Sequence, residues 1–431
     1  MHSGAGDPSR EPGEEEVPET LIGLPQATPH ASSEEVEATL IGVPQPARGG
    51  PATGGLGRTE SAPPTGAESP YSASPQAIAD KAGDQIGPYR LISKLGEGGF
   101  GEVWLAERRT PFVQQVALKL IKLGMDSRAV LARFEQERQA LAVMSHPHVA
   151  SVIDGGLTAS GRSYLAMEFV PGEKITSFCD SRRLQIRQRL ELFEQICDAV
   201  QHAHTKGIIH RDLKPTNILV SEIEPGRYSA KVIDFGVAKA LSGPMNDDVH
   251  TETGQMVGTI EYMSPEQADP GEQDIDTRSD IYSLGVVLYE LLIGVLPFDG
   301  KELRRGGYRE IQRIIREVDP PTPSARLTTI STKDADGARR IADGRREQLL
   351  SLAKALRREL EWIPLKAMRK ERKDRYATAH DLAADVRNYL EGRALVAAPE
   401  SRSYRIRKYV RRNKAIVTGI AAVAAALVFG L

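Results

Sequence analysis

The sequence predicts an α+β fold in which strand-rich segments come first and helices dominate later. Three observations carry this. Val103-Trp104-Leu105-Ala106 and Gln115 to Ile121 are short β-rich runs. Arg128 to Met144 then places Val130, Phe134 and Leu141 at helical spacing with charges between them, the pattern of an amphipathic helix. Further on, Ser279-Asp280-Ile281-Tyr282-Ser283-Leu284-Gly285 opens a long apolar helix, and a charged helical stretch ends at Leu360-Glu361-Trp362-Ile363.

At 431 residues and a formal net charge of -2, the chain has room for one large domain and flanking segments. Residues 1–85 hold many Glu, few basic residues and abundant Pro, Gly, Ser and Ala. Such a segment cannot bury enough apolar surface to offset its ordering entropy, so it is predicted to be disordered. Within it, Glu19-Thr20-Leu21-Ile22-Gly23-Leu24-Pro25-Gln26 recurs as Ala38-Thr39-Leu40-Ile41-Gly42-Val43-Pro44-Gln45. The copy reads either as a docking or phosphorylation element, with Thr20 and Thr39 offered to a phosphothreonine-binding partner, or as neutral duplication in a low-complexity tail. Cys179 and Cys197 lie in helical segments without metal-ligand spacing and read as reduced core residues of a cytoplasmic domain. The first 30 residues lack the basic start and apolar core of a signal peptide.

The chemistry is concentrated in three strings. Leu95-Gly96-Glu97-Gly98-Gly99-Phe100-Gly101-Glu102-Val103 fits G-x-G-x-x-G-x-V, a loop whose glycines let backbone amides approach phosphates. A dinucleotide-binding turn shares G-x-G-x-x-G, but it expects a helix directly after the glycines, and here two strand-like runs follow. The second run contains Val116-Ala117-Leu118-Lys119. His210-Arg211-Asp212-Leu213-Lys214-Pro215-Thr216-Asn217 matches H-R-D-x-x-x-x-N, and Asp234-Phe235-Gly236 follows after one hairpin's worth of chain. In that pattern Asp212 takes a hydroxyl proton, while Asn217 and Asp234 hold the magnesium ions that bridge the phosphates.

With these motifs, residues 89 to about 392 resemble a bacterial eukaryotic-like (Hanks-type) serine/threonine protein kinase. The resemblance implies a two-lobed fold: a β-rich N-lobe to about residue 170 with one main helix, and a mostly helical C-lobe, together spanning 86–392. It implies Mg-ATP as cofactor, with Mn as the alternate ion, and protein substrates bearing Ser or Thr hydroxyls. Lys119 then pairs with a glutamate. Glu135 and Glu137 compete, and the family's spacing to His146-Pro147 selects Glu137. Tyr164 to Gly172 resembles the strand and hinge between the lobes, so Met167 sits behind the adenine and the backbone of Glu168 and Val170 bonds its edge.

The resemblance also assigns supporting roles. Lys214 is the serine/threonine form of the loop and steadies the transferring phosphoryl group, and Thr259 contacts both Asp212 and Lys214. Gly258 to Glu266 matches the end of an activation segment, with Ser264 in place of Ala as a neutral exchange. Glu266 pairs with Arg375, and Asp280 braces the catalytic loop. Arg211, beside the base, implies control by phosphate on the activation loop, with Thr251 and Thr253 as acceptors. All the catalytic positions are filled, as an active enzyme requires. The rival reading is a membrane-tethered, ATP-binding scaffold or pseudokinase that acts through partners.

Beyond the domain, residues 393–414 form a basic segment (Arg402, Arg405, Arg407, Lys408, Arg411, Arg412, Lys414), and 415–431 carry no charge. That run is at the lower limit for a transmembrane helix, and the basic residues before it would keep the kinase cytoplasmic as a single-pass protein of the cell membrane. A nucleic-acid-binding segment would leave the apolar run unexplained, so no nucleic-acid partner is expected. A buried C-terminal helix would not be apolar on every face. The end of the run reads as a tail anchor or as the start of a longer receptor, and a homodimer is a further expected assembly. Residues 301–361 exceed the minimal C-lobe and resemble an insertion in bacterial membrane kinases.

Overall fold

The computed structural model describes residues 80–98, 101–121, 143–158, 161–235, 260–269, 275–300, 303 and 306–430. Its N-lobe is an antiparallel sheet of six strands: β1 (Gln85–Ile86), β2 (Tyr89–Gly98), β3 (Gly101–Arg108), β4 (Gln114–Ile121), β5 (Val152–Leu157) and β6 (Ser163–Glu168), in the order β1-β2-β3-β4-β6-β5. Alternation along β4 sets the layout. Val116, Leu118 and Leu120 are fully buried with Tyr89, Leu91, Trp104 and Ala166 in a small core. Ala117 and Lys119 therefore point to the other face, where Ala117 packs against the main core.

The ordered domain begins earlier than residue 86, the boundary that composition suggested. Gly83 N–H donates to the Leu91 carbonyl at 2.8 Å, Leu91 N–H donates back to Asp84 at 2.9 Å, and Asp80 forms an ion pair with Arg162. Composition averages over a window, so it could not register a short turn held by backbone bonds. The amphipathic helix expected over 128–144 falls almost wholly outside the described residues.

The C-lobe opens with β7 (Glu173–Lys174), α1 (Ile175–Ser181) and α2 (Ile186–Thr205). A hairpin, β8 (Ile218–Glu224) and β9 (Arg227–Val232), pairs with β7 in a second sheet. After α3 (Pro265–Ala268) comes α4 (Arg278–Ile293), buried at nearly every position. A helix apolar on all sides is stable only when enclosed, and α4 is the axis of the main core. Gly285 permits this enclosure. A Cβ there would lie 2.8 Å from the Ala367 Cβ on α9 (Trp362–Ala367), so no larger residue fits without shifting that helix. Cys179 and Cys197 are buried free thiols, and burial pushes the Cys179 pKa up to about 11.

The 301–361 insertion becomes α5 (Gly307–Glu317), α6 (Pro323–Lys333), α7 (Ala335–Arg345), α8 (Leu349–Ala355) and a π turn at Leu356–Leu360. Two arginines fasten it. Arg345, 1% exposed, donates to the carbonyls of Leu291 (3.2 Å) and Leu292 (2.6 Å) at the C-terminus of α4, the negative end of its dipole. Arg189 of α2, equally buried, donates to Leu291 and Gly344 carbonyls and to Asp180. Burial, followed by the adjacent Arg189 charge, lowers the Arg345 pKa to about 10, so it stays charged at neutral pH.

The chain closes with α10 (Ala379–Leu390), α11 (Arg402–Arg412) and α12 (Lys414–Phe429). Among the described residues no single helix is long and apolar enough to cross a membrane; α11 and Val417–Phe429 meet that length and composition only together, bent by 93°.

Removing the Arg345 guanidinium would take the donor from the buried Leu292 carbonyl at the end of α4 and leave Leu291 and Asp180 with Arg189 alone. Arg345→Leu is expected to cost about 3 kcal/mol of stability, read as a lower urea midpoint at unchanged slope. An unchanged midpoint would mean that the insertion is not fastened there.

Candidate active site

The glycine loop is the tip of the β2–β3 hairpin, and its glycines are needed for different reasons. Among the described residues a Cβ on Gly96 or Gly98 would meet nothing within 4 Å, which leaves space there for a phosphate chain. A Cβ on Gly101 would instead lie 2.0 Å from the Leu120 carbonyl oxygen of β4. The last glycine of the motif is thus required by strand packing, a reason the motif itself does not reveal. Gly99 and Phe100 lie outside the described residues.

Register brings together the residues expected to face the nucleotide. Val103 stands opposite Lys119, Ala117 opposite Met167, and Lys119 opposite Leu165. The Lys119 ammonium, 7% exposed as a residue, forms an ion pair with Asp234. Its expected partner Glu137 is outside the described residues. At the hinge, Glu168 N–H donates to the Ser151 carbonyl at 2.8 Å and its carboxylate binds Lys231 at 2.5 Å. The Glu168 amide is therefore committed elsewhere, which narrows the sequence reading there. Val170, past the strand end, has its backbone unengaged among the described residues.

The catalytic loop is shaped by one buried carboxylate. Asp280, in the first turn of α4, accepts from His210 N–H and Arg211 N–H, each at 2.8 Å, and contacts His204 Nε2 at 2.8 Å. These bonds hold Arg211 at a φ of 63°, a left-handed conformation that costs about 1–3 kcal/mol for such a residue. Gln267 donates to the Arg211 carbonyl at 2.7 Å. Sequence analysis treated Ser264 as a neutral exchange, but its hydroxyl caps α3 and forms a reciprocal capping box with Gln267. Ser-x-x-Gln was the available signal.

His210 links the loop to the segment that carries Asp234. Its Nδ1 accepts from Asp212 N–H at 3.3 Å and its Nε2 donates to the Ile233 carbonyl at 3.3 Å, a pattern only the neutral ring satisfies. Burial drives its pKa below 6.5, against the opposing pull of Asp280, Asp212 and Asp234. The ring packs on Phe235 at 4.6 Å, and Asp234 beside it is also left-handed, with a φ of 58°.

Within this frame the polar groups converge. Lys214 Nζ lies 2.7 Å from Asp212 Oδ2. Asn217 Nδ2 donates to the Asp212 carbonyl at 2.8 Å and to Oδ2 at 3.3 Å, and the Asn217 carbonyl accepts from Ile233 N–H at 2.9 Å. With its amide nitrogen so occupied, the Asn217 side-chain oxygen, which among the described residues accepts from the Thr216 hydroxyl at 3.5 Å, is left as a hard ligand, and the Asp234 carboxylate is a second. An oxygen pair of this kind suits magnesium rather than a softer metal. Arg211 is in place, whereas Thr251, Thr253 and Thr259 lie outside the described residues.

Farther back, Glu266 and Arg375 form the expected bidentate pair at 2.7 and 2.8 Å. Burial opposes the Glu266 charge, yet the Arg375 hydrogen bonds outweigh it and hold the pKa below the ordinary carboxylate value.

A two-lobed fold with a base, two oxygen ligands and a lysine at the lobe junction defines a phosphoryl-transfer site. The sequence profile of the protein kinase domain matches residues 89–376, and the chain belongs to that family. It is 35% identical over 326 residues to the serine/threonine-protein kinase PknB of Mycolicibacterium smegmatis, covering 74% of this chain and 44% of that protein. The serine/threonine-protein kinase PrkC of Bacillus subtilis is 32% identical over 303 residues, covering 70% and 40%. Pkn3 of Myxococcus xanthus is 39% identical over 250 residues, covering 56% and 44%. The chain thus spans less than half the length of these relatives. The crystal structure of the PknI kinase domain of Mycobacterium tuberculosis shares the fold at 23% identity and a TM-score of 0.50, covering 72% of this chain and 100% of that one.

The neutral His210 gives a signed pH expectation. The unfolded chain takes up the proton first, so stability is full above about 6.5, falls as pH drops through that value, and is completely lost only below the depressed folded pKa. His210→Asn should flatten that part of the stability profile measured by denaturant titration; an unchanged profile would rule out His210 as its source.

Proposed function

We propose that the domain is an active serine/threonine protein kinase that transfers the γ-phosphate of ATP to protein hydroxyls. The observation that carries this is the convergence of Asp212, Lys214 and Asn217 of the C-lobe, together with Asp234, which pairs with Lys119 of the N-lobe. The Asp212 carboxylate, oriented by Asn217 and Lys214, accepts the proton of the acceptor hydroxyl. Lys214 stays within reach of the charge that spreads over the phosphoryl oxygens, and Lys119 supplies a second fixed cation. Asn217 and Asp234 would hold magnesium, which supplies neutralisation of the phosphate charge when bound. The Ser/Thr-kinase relatives and Lys214 support serine and threonine as acceptors.

The uncharged 415–431 run and the basic residues before it support attachment to a membrane, with the kinase on the cytoplasmic side. Arg211 supports control by activation-loop phosphate, and Thr251 and Thr253 are the proposed acceptors. In the tail, Thr20 and Thr39 are proposed as phosphothreonine docking points. A homodimer remains an assembly to be tested by sedimentation.

Asp212→Asn should lower transfer of label from radioactive ATP to a generic protein substrate by about 10²–10⁴-fold, with the circular dichroism spectrum intact. Label on phosphotyrosine, or undiminished transfer, would refute the proposal. Mass spectrometry should find phosphate on Thr251 or Thr253 in the active protein and none in Lys119→Met. Bare threonines in the active protein would exclude that switch.

A further inference from the structure

Helix α11 is clamped to the C-lobe along one edge. The Tyr404 ring stands edge-on to Trp362 at 5.8 Å, and Leu395 N–H donates to the Tyr404 hydroxyl at 3.3 Å. Lys408 binds Glu359 at 2.5 Å with side chains only 14% and 17% exposed. At about 100° per residue, Ile406 lies about 160°, Tyr409 about 100° and Val410 about 160° round the helix from Lys408. They are 62%, 57% and 39% exposed. Between these two stripes run exposed arginines, and the helix contains no acidic residue.

Where α11 meets the C-lobe lies a recess of about 400 Å³ bordered by Arg358, Lys408, Arg411, Arg412, Glu359 and Glu391. Its two carboxylates are already engaged, Glu359 by Lys408 and Glu391 by Arg393 at 2.5 Å. Arg358, Arg411 and Arg412 have no carboxylate partner among the described residues. The uncharged Val417–Phe429 part of α12 follows at 93° to α11.

A helix with one apolar stripe, flanking arginines and a perpendicular apolar continuation fits the surface of a bilayer. A nucleic acid would satisfy the arginines but leave Ile406, Tyr409, Val410 and α12 in water. We propose that α11 lies in the interface of an anionic phospholipid membrane, its Ile406–Tyr409–Val410 stripe in the headgroup region and Arg358, Arg411 and Arg412 on lipid phosphates, while its Tyr404–Lys408 edge stays on the C-lobe. The inference rests on the membrane reading above. It adds that the catalytic domain is held in one orientation against the bilayer instead of swinging on a free tether.

The test uses the full chain carrying a polarity-sensitive dye at Ile406→Cys or Val423→Cys, since Cys179 and Cys197 are buried. The protein is reconstituted in phosphatidylcholine vesicles with or without phosphatidylglycerol. The Val423 dye should be shielded from aqueous iodide in both. The Ile406 dye should be shielded when phosphatidylglycerol is present, and Arg358→Gln/Arg411→Gln/Arg412→Gln should abolish that shielding. An Ile406 dye open to iodide beside a shielded Val423 overturns the interfacial helix alone. Shielding of Ile406 without the anionic lipid overturns the phosphate contacts. A Val423 dye open to iodide overturns the membrane reading and this inference with it.

Discussion

The Asp280 carboxylate is the constraint on which the catalytic loop depends. Buried and contacting two backbone amides and one imidazole, it fixes the chain direction at His210 and Arg211 and holds Arg211 in a conformation it would otherwise avoid. Those backbone angles aim Asp212 toward Lys214 and Asn217. His210 then passes the constraint to the Ile233 carbonyl, next to Asp234. A charge this deeply buried is tolerated only because its hydrogen bonds are satisfied.

The C-lobe can hold that carboxylate still because α4 is itself immobilised at both ends. At its start, Arg375 and Ser279 both engage Glu266. At its end, Arg345 and Arg189 take its terminal carbonyls and bring the inserted helices against it. Each guanidinium offers several donors in a rigid plane, so one side chain satisfies several backbone groups that water cannot reach. The insertion, which has no role in the motifs, thereby becomes part of the support for the site.

Much of this was legible in the sequence because its signals are local. G-x-G-x-x-G, H-R-D-x-x-x-x-N and D-F-G each place chemistry within a few residues, and the β-rich runs before residue 170 and the long apolar helix at 279 both appear in the structure. What was missed depends on distant neighbours. Gly101 is required by a carbonyl on the next strand, and Ser264 by the helix it begins. The order at Asp80 and Asp84 likewise rests on bonds to Arg162 and Leu91.

By itself the sequence determined which residue types stand ready for phosphoryl transfer and in what order, and it marked the charge asymmetry of the C-terminus. Only the tertiary structure decided how Asp212 is oriented, where the insertion is fastened, and which edge of the basic helix faces protein. The reason is physical. A motif specifies groups along the chain, whereas the position of a carboxylate or guanidinium is set by hydrogen bonds to residues scores of positions away, and those exist only once α4 and its neighbours have packed.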